Sequence, residues 1–226
     1  PIFAAGVING IGHYWGYRNF RPEDASTNIS PWGILIGGEE LHNNHHAYPT
    51  SARLSNKWYE FDIGWMYIRI LEMMGLARVK KTAPKLQLNK AKTQCDLETL
   101  QAVISHRYEV LAKYTKSLKV AFKSELSSLQ QAAIELGVDG STLRNWILAD
   151  AKTLKEEERS KLDQALSHTQ KLDTLYRMRE ELSSIWERSA ATKDELLKQL
   201  EDWCRRAEES GIEFLENFSR RLRCYA

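Results

Sequence analysis

The chain is short of cysteine, of long apolar runs and, over one stretch, of negative charge. Its three cysteines, Cys95, Cys204 and Cys224, lie far apart in no paired spacing, which argues for free thiols in a reducing compartment rather than disulfides. Residues 1–12 and 29–38 are apolar and free of charge, yet neither reaches the roughly 20 apolar residues that a bilayer-spanning helix needs. Each therefore reads as buried core or as the end of a membrane-associated segment. The chain starts at Pro1, with no initiator Met and no basic segment ahead of the apolar run, which is not how a signal peptide begins. This suggests a truncated product. Residues 77–92 contain Arg78, Lys80, Lys81, Lys85, Lys90 and Lys92 and no acid, whereas the whole chain carries a net charge of only +2.

What the chain does have is unevenly placed. Most of the glycine, tryptophan and tyrosine falls in residues 1–76, and the remainder is charged and helical in pattern. Only six histidines occur, and three of them, His42, His45 and His46, sit within five positions in GGEELHNNHHAYP. On a helix these are positions i, i+3 and i+4, so at about 100° per residue the imidazoles share one face and can share a metal. Neutral imidazole suits a first-row transition metal. A solvent-exposed turn rich in His and Asn is the competing reading. Upstream, in VINGIGHYWGYRNF, Asn9 precedes His13 by four residues, again one face of a helix. Ligands at the ends of apolar segments point to a site near a membrane boundary, where polar groups are costly and usually functional.

NGIGHYWGYRNF, then GEELHNNHHAYP, then WYEFDIGWMYIRILEMMGLARVKK together resemble the C-terminal catalytic part of membrane-bound acyl-CoA (stearoyl-type, Δ9) fatty acid desaturases, over residues 1 to about 85. The resemblance implies a histidine-ligated centre of two irons that uses O2 and electrons from a donor protein to place a cis double bond in an acyl-CoA or acyl-lipid chain. By position, His13, His42, His45 and His46 match iron ligands, and Asn9 matches an asparagine that reaches iron through water. Glu39 and Glu40 are candidates to fix the tautomers of the histidine rings, with a solvated helix start as the plainer role. The family carries two further histidine clusters that these 226 residues do not contain, so the stretch alone is not expected to be an active desaturase. The resemblance places the parent protein in a membrane, with the metal site and tail on the cytoplasmic side.

The basic stretch after this region reads either as a solvated linker around Pro84 or as a headgroup contact. In the second case Lys80, Lys81 and Lys85 attract a membrane or an acyl carrier's phosphates, at about 1 kcal/mol per charge near an anionic surface. Just before it, Trp65, Ile68, Leu71 and Met74 follow helical spacing, an amphipathic helix expected to pack on the catalytic core or the membrane surface. From Leu97 onward, Leu97, Leu100, Ile104, Leu111, Tyr114 and Leu118 recur at three- and four-residue steps, as in helices that pack lengthwise and can self-associate. Breaks are expected at 137–141, 149–153, 189–192 and Gly211, and Thr192 with Glu195 has the form of a capping box. His106 and His168 stand alone and read as surface residues.

QQAAIELGVDGSTLRNWILAD resembles a helix-turn-helix, with Ala133 at the close approach, Gly137 at the turn, and Leu143 and Trp146 facing inward. The segment from about Leu172 is weakly similar to the C-terminal ends of some transposases. Residues 93–226 hold 21 basic and 23 acidic residues, a net of −2, which weighs against nucleic acid as a partner and for a plain helical hairpin. The expected fold is mainly α. It comprises the C-terminal part of a membrane di-iron helical domain (1–76), a basic linker (77–94), and a long-helix bundle or coiled-coil extension (95–226).

Overall fold

The computed structural model describes residues 6, 8–89, 91–187 and 190–226. Half of the opening apolar run (residues 1–5 and 7), Lys90 of the basic stretch and Ser189 of the expected break lie outside the described residues. The chain divides into two compact units, Pro1–Lys85 and Leu86–Ala226.

The first unit has little regular structure. It contains α1 (Asn9–Gly12), β1 (Trp32–Gly33), α2 (His42–Ala47), β2 (Phe61–Asp62) and α3 (Ile63–Met73), with β1 and β2 forming a two-residue parallel pair. Long loops fill the rest, and their backbone polar groups are met by buried side chains. Asp62 does this with both carboxylate oxygens. Its Oδ1 caps α3 by accepting from Trp65 N at 2.8 Å, and its Oδ2 accepts from Leu54 N at 2.6 Å. Gly38 lies against it with a positive φ, and a Cβ there would meet the Asp62 carboxylate, so only glycine fits. The apolar face of α3 is only partly covered: Trp65 and Ile68 are half-buried, and Leu71 and Met74 are exposed. No helix among the described residues is long and apolar enough to cross a membrane.

The second unit is a helical bundle around one apolar core, mainly α as the periodicity predicts. It comprises α4 (Leu97–Ser105), α5 (Arg107–Ser124), α6 (Leu126–Glu135), α7 (Gly140–Leu148), α8 (Glu156–Ser167), α9 (Gln170–Glu187), α10 (Lys193–Glu209) and α11 (Glu213–Arg223). The Tyr114 ring meets Trp203, Phe214 and Phe218 edge-on, and its hydroxyl donates to Leu175 O at 2.9 Å. Trp203 donates its indole N–H to Met178 O at 2.7 Å, so both aromatic groups are buried without an orphaned polar end. Thr192 and Glu195 form the expected reciprocal cap on α10.

The structure differs from the sequence pattern in three ways. The step pattern from Leu97 to Leu118 spans two helices that meet at His106. The buried positions are Leu100, Val103, Val110, Tyr114 and Leu118, while Leu97 is exposed. His106 itself is buried, not on the surface, because the junction packs into the core; burial lowers its basicity. In the helix-turn-helix segment Gly137 adopts the left-handed conformation at the turn, and the inward residues of α7 are Leu143 and Ile147, with Trp146 half-buried.

The basic stretch is divided between the units. Lys81 O accepts from Ala52 N at 2.9 Å, and Ala83 N donates to Ser51 Oγ at 2.9 Å, both within the first unit. In the second unit Leu88 bridges to Tyr225, and Asn89 N donates to Cys224 O at 2.7 Å.

Candidate metal centre

Two short elements bring the histidines together. His13 caps the C-terminus of α1, and α2 carries His42, His45 and His46. Gly12 sits where a Cβ would lie 2.9 Å from His42 Cδ2, so glycine lets α1 approach the ring. A six-residue helix has no intrinsic stability, and its neighbours hold it in place. The two asparagines of HNNHH do most of this. Asn43 Oδ1 accepts from the backbone N–H groups of Asn19 and Phe20, each at 2.9 Å, and its amide donates to Phe20 O at 3.2 Å and Ser26 O at 3.1 Å. Asn44 accepts from Asn19 and Asn28 and donates to Leu54 O at 2.9 Å and Glu60 Oε2 at 2.8 Å.

Glu60 anchors this network. Its buried carboxylate accepts from the Tyr17 hydroxyl at 2.8 Å, from the Asn19 and Asn44 amides, and from the backbone N–H groups of Asn56 at 2.7 Å and Lys57 at 2.9 Å. Burial, together with the hydrogen bond to this carboxylate, pushes the Tyr17 phenol far above its ordinary range, so Tyr17 stays a donor.

His13, His42 and His46 form the cluster. One ligand-competent atom from each lies within 4.8 Å of the other two. His42 Nε2 and His13 Nε2 are 3.2 Å apart, and the His42 and His46 ring centroids are 4.3 Å apart. Two imidazole nitrogens at that separation need a proton or a cation between them. The buried Nδ1 of His42 has no hydrogen-bond partner among the described residues. Burial, and then the neighbouring His46, His13 and His45, push the His42 pKa down to about 4, which leaves a neutral imidazole at physiological pH. Three imidazoles converging on one point fit a first-row divalent metal such as iron.

The other candidates are arranged differently. His45 lies outside the trio and stacks beside His42, with centroids 6.4 Å apart. Asn9 is exposed at the first position of α1. Glu40 is buried, but its Oε1 accepts from the backbone N–H groups of Leu35 at 2.6 Å and Ile36 at 3.1 Å rather than from a ring, and Glu39 is half-buried. The carboxylate that does reach a ring is Asp24, whose Oδ2 lies 2.6 Å from His46 Nδ1. Burial pushes the Asp24 carboxyl up, but hydrogen bonds from Ser26 and His46 outweigh it and hold the group below the usual carboxylate range. No spacing rule links an acid to a histidine 22 residues later, so sequence reasoning missed Asp24. The paired asparagines beside three histidines were a visible signal for the clamp.

The first unit also exposes large apolar side chains. Tyr14 is 94% exposed, Leu35 89% and Trp58 95%, with Trp15, Trp32, Met73 and Leu76 also open. Lys80, Lys81 and Lys85 are exposed as well.

The chain thus joins a histidine-cluster unit to an all-helical one, and comparison with known proteins follows the same division. The Delta-9 desaturase-like 5 protein of Arabidopsis thaliana is 38% identical over 84 residues, 37% of this chain and 28% of that protein. The sn-1 stearoyl-lipid 9-desaturase of Anabaena variabilis is 42% identical over 81 residues, 36% of this chain and 30% of that protein. The icosanoyl-CoA 5-desaturase of Limnanthes douglasii is 40% identical over 88 residues, 39% of this chain and 25% of that protein. The desaturase resemblance of residues 1 to about 85 is therefore real, and the chain spans under a third of the length of these relatives. A family model described as transposase, of the DDE ISL3 type, matches residues 102–226. That is just over half of the chain, and through it the chain belongs to this transposase family. The match begins well before Leu172, where the sequence suggested such a likeness. No solved structure matches the chain.

Proposed function

We propose that the first unit supplies part of the iron centre of a membrane acyl desaturase, with His13, His42 and His46 as ligands. The observation that carries this reading is the convergence of three imidazoles from two elements, one of them His42, held neutral by burial. His45 and Asn9 are the remaining positions that the resemblance assigns to iron. When bound, the two irons of the complete site supply the O2-dependent oxidising power needed to remove hydrogen from an unactivated methylene. The residues of this chain bind and orient: Asn43, Asn44 and Glu60 set the pose of α2, and Gly12 sets how closely His13 approaches His42. The substrate is an acyl chain on CoA or lipid, and O2 and an electron-donor protein complete the reaction. The exposed aromatic and aliphatic surface supports a membrane setting, with the lysines after α3 at the headgroups.

The test is anaerobic Fe2+ titration of the purified chain alongside its His13→Ala, His42→Ala and His46→Ala variants. Each substitution should weaken binding at least tenfold, and equal binding by the triple variant would end this reading. In a full-length parent, restored unsaturation in a desaturase-deficient host should disappear with His45→Ala.

A second reading belongs to the helical unit, and the family match over residues 102–226 favours it. That unit serves a transposase, with Arg144 and Asn145 exposed on α7 beyond a helix-turn-helix bend. Residues 102–226 carry 21 basic and 21 acidic residues, no net positive charge, which supports a packing rather than a phosphate-neutralising role. Salt-sensitive retention of the chain on duplex DNA, lost in Arg144→Ala, would reverse that assignment.

A further inference from the structure

We infer that Asp24 is a positioning residue for the histidine centre: its carboxylate holds His46 with the proton on Nδ1, so that His46 presents Nε2 to a metal shared with His13 and His42. This rests on the metal reading above and deepens it. A carboxylate oxygen 2.6 Å from a ring nitrogen requires a proton between them, and a neutral imidazole with its proton on Nδ1 has its lone pair on Nε2.

Asp24 is itself fixed before any metal arrives. Its Oδ1 accepts from Ser26 N at 2.8 Å, and the Arg18 guanidinium donates to Asp24 O at 2.8 Å and Pro22 O at 3.2 Å. The loop is also tied to α2, because the Asn43 amide donates to Phe20 O and Ser26 O on either side of Asp24. The helix that carries His46 therefore sets the position of the carboxylate that orients it. His42 contrasts with this, its Nδ1 buried without a partner among the described residues, whereas His46 carries a carboxylate orienter. Glu40, inside the histidine motif, instead serves the backbone of Leu35 and Ile36 through its Oε1.

A purely structural ion pair predicts something different. Both partners are partly exposed, His46 at 27% and Asp24 at 37%, and a pair of that kind contributes little to stability. Its loss would leave the ring's tautomer and its metal affinity nearly unchanged.

The experiment uses the full chain with 15N-labelled histidine, metal-free at pH 7.5, and reads the His46 tautomer from long-range 1H–15N correlations. It is followed by Co2+ titration monitored by visible absorption. The parent and Asp24→Asn, whose amide oxygen still accepts, should show His46 protonated on Nδ1. Asp24→Ala should shift the proton toward Nε2 and weaken Co2+ binding about 10- to 100-fold, the usual effect of losing a ligand's orienting partner. Nε2-protonated His46 in the parent, or an Asp24→Ala variant with unchanged tautomer and affinity, overturns the inference. Failure of the metal reading looks different: the tautomer responds to Asp24 as stated, but neither parent nor variants bind Co2+. If Asp24→Ala does not fold, Asp24→Glu carries the comparison: its displaced carboxylate should lower Co2+ affinity, while Asp24→Asn keeps the parent's tautomer, and a Glu variant that binds as the parent does overturns the inference.

Discussion

Replacing Glu60 by Gln tests whether the histidine cluster depends on a carboxylate outside the motif. The side chain keeps its shape, but one acceptor oxygen becomes an NH2 donor among groups that all donate to the native carboxylate. In the better orientation the amide oxygen retains Asn44, Asn56 and Lys57, while the NH2 faces the Tyr17 hydroxyl, which can turn to accept, and the Asn19 amide, which cannot. Bonds to a charged acceptor are worth about 1.5–3 kcal/mol each against about 1 kcal/mol for neutral ones, and an orphaned donor adds about 1–3 kcal/mol. The Asn56 and Lys57 N–H groups lie in a part-buried loop that water can reach, so the net loss is about 3 kcal/mol rather than the full sum. For a unit of this size that lowers the melting temperature by roughly 10 °C or more. Calorimetry of the full chain should show the transition of the first unit displaced and that of the helical bundle unchanged. Co2+ affinity should fall as well, because Asn44 loses the partner that holds α2. A Glu60→Gln chain with both transitions and its metal affinity as in the parent would refute the assignment of Glu60 as the anchor.

Gly12→Ala places a methyl 2.9 Å from His42 Cδ2 and should weaken Co2+ binding about tenfold by displacing the ring, measured by the same titration. His42 has a pKa of about 4 in the folded chain against an ordinary value of 6.5, so the unfolded state binds the extra proton between those values. Its contribution to stability is therefore fully present above about pH 6.5 and lost as pH falls toward 4; melting curves should show the parent losing more stability across that window than His42→Gln. Arg179, buried in α9, donates to Ile147 O at 2.9 Å and Ala149 O at 2.7 Å at the end of α7 and pairs with Glu180. Arg179→Met should cost the helical unit about 3 kcal/mol in urea denaturation, and a loss under about 1 kcal/mol would show that water replaces it.

By itself, the sequence determined the helical character of the second unit, its turn at Gly137, its cap at Thr192 and the presence of a histidine cluster. Each of these depends on short-range spacing: periodicity, a glycine at positive φ, a side chain three residues from the N–H it caps, rings three and four residues apart. Tertiary structure decided what lies across the chain from such signals. It divided three histidines of one helical face, seating His42 and His46 with His13 and leaving His45 beside them, because the approach of α1 through Gly12 selects the side that is used. It gave the orienting carboxylate to Asp24 and the anchoring one to Glu60, whereas Glu40 inside the motif supports a loop. It also buried His106, by breaking an apparently continuous helix at that residue. Long loops bring such partners together, and which acid meets which ring is set by the hydrogen bonds that those loops must satisfy once they are buried.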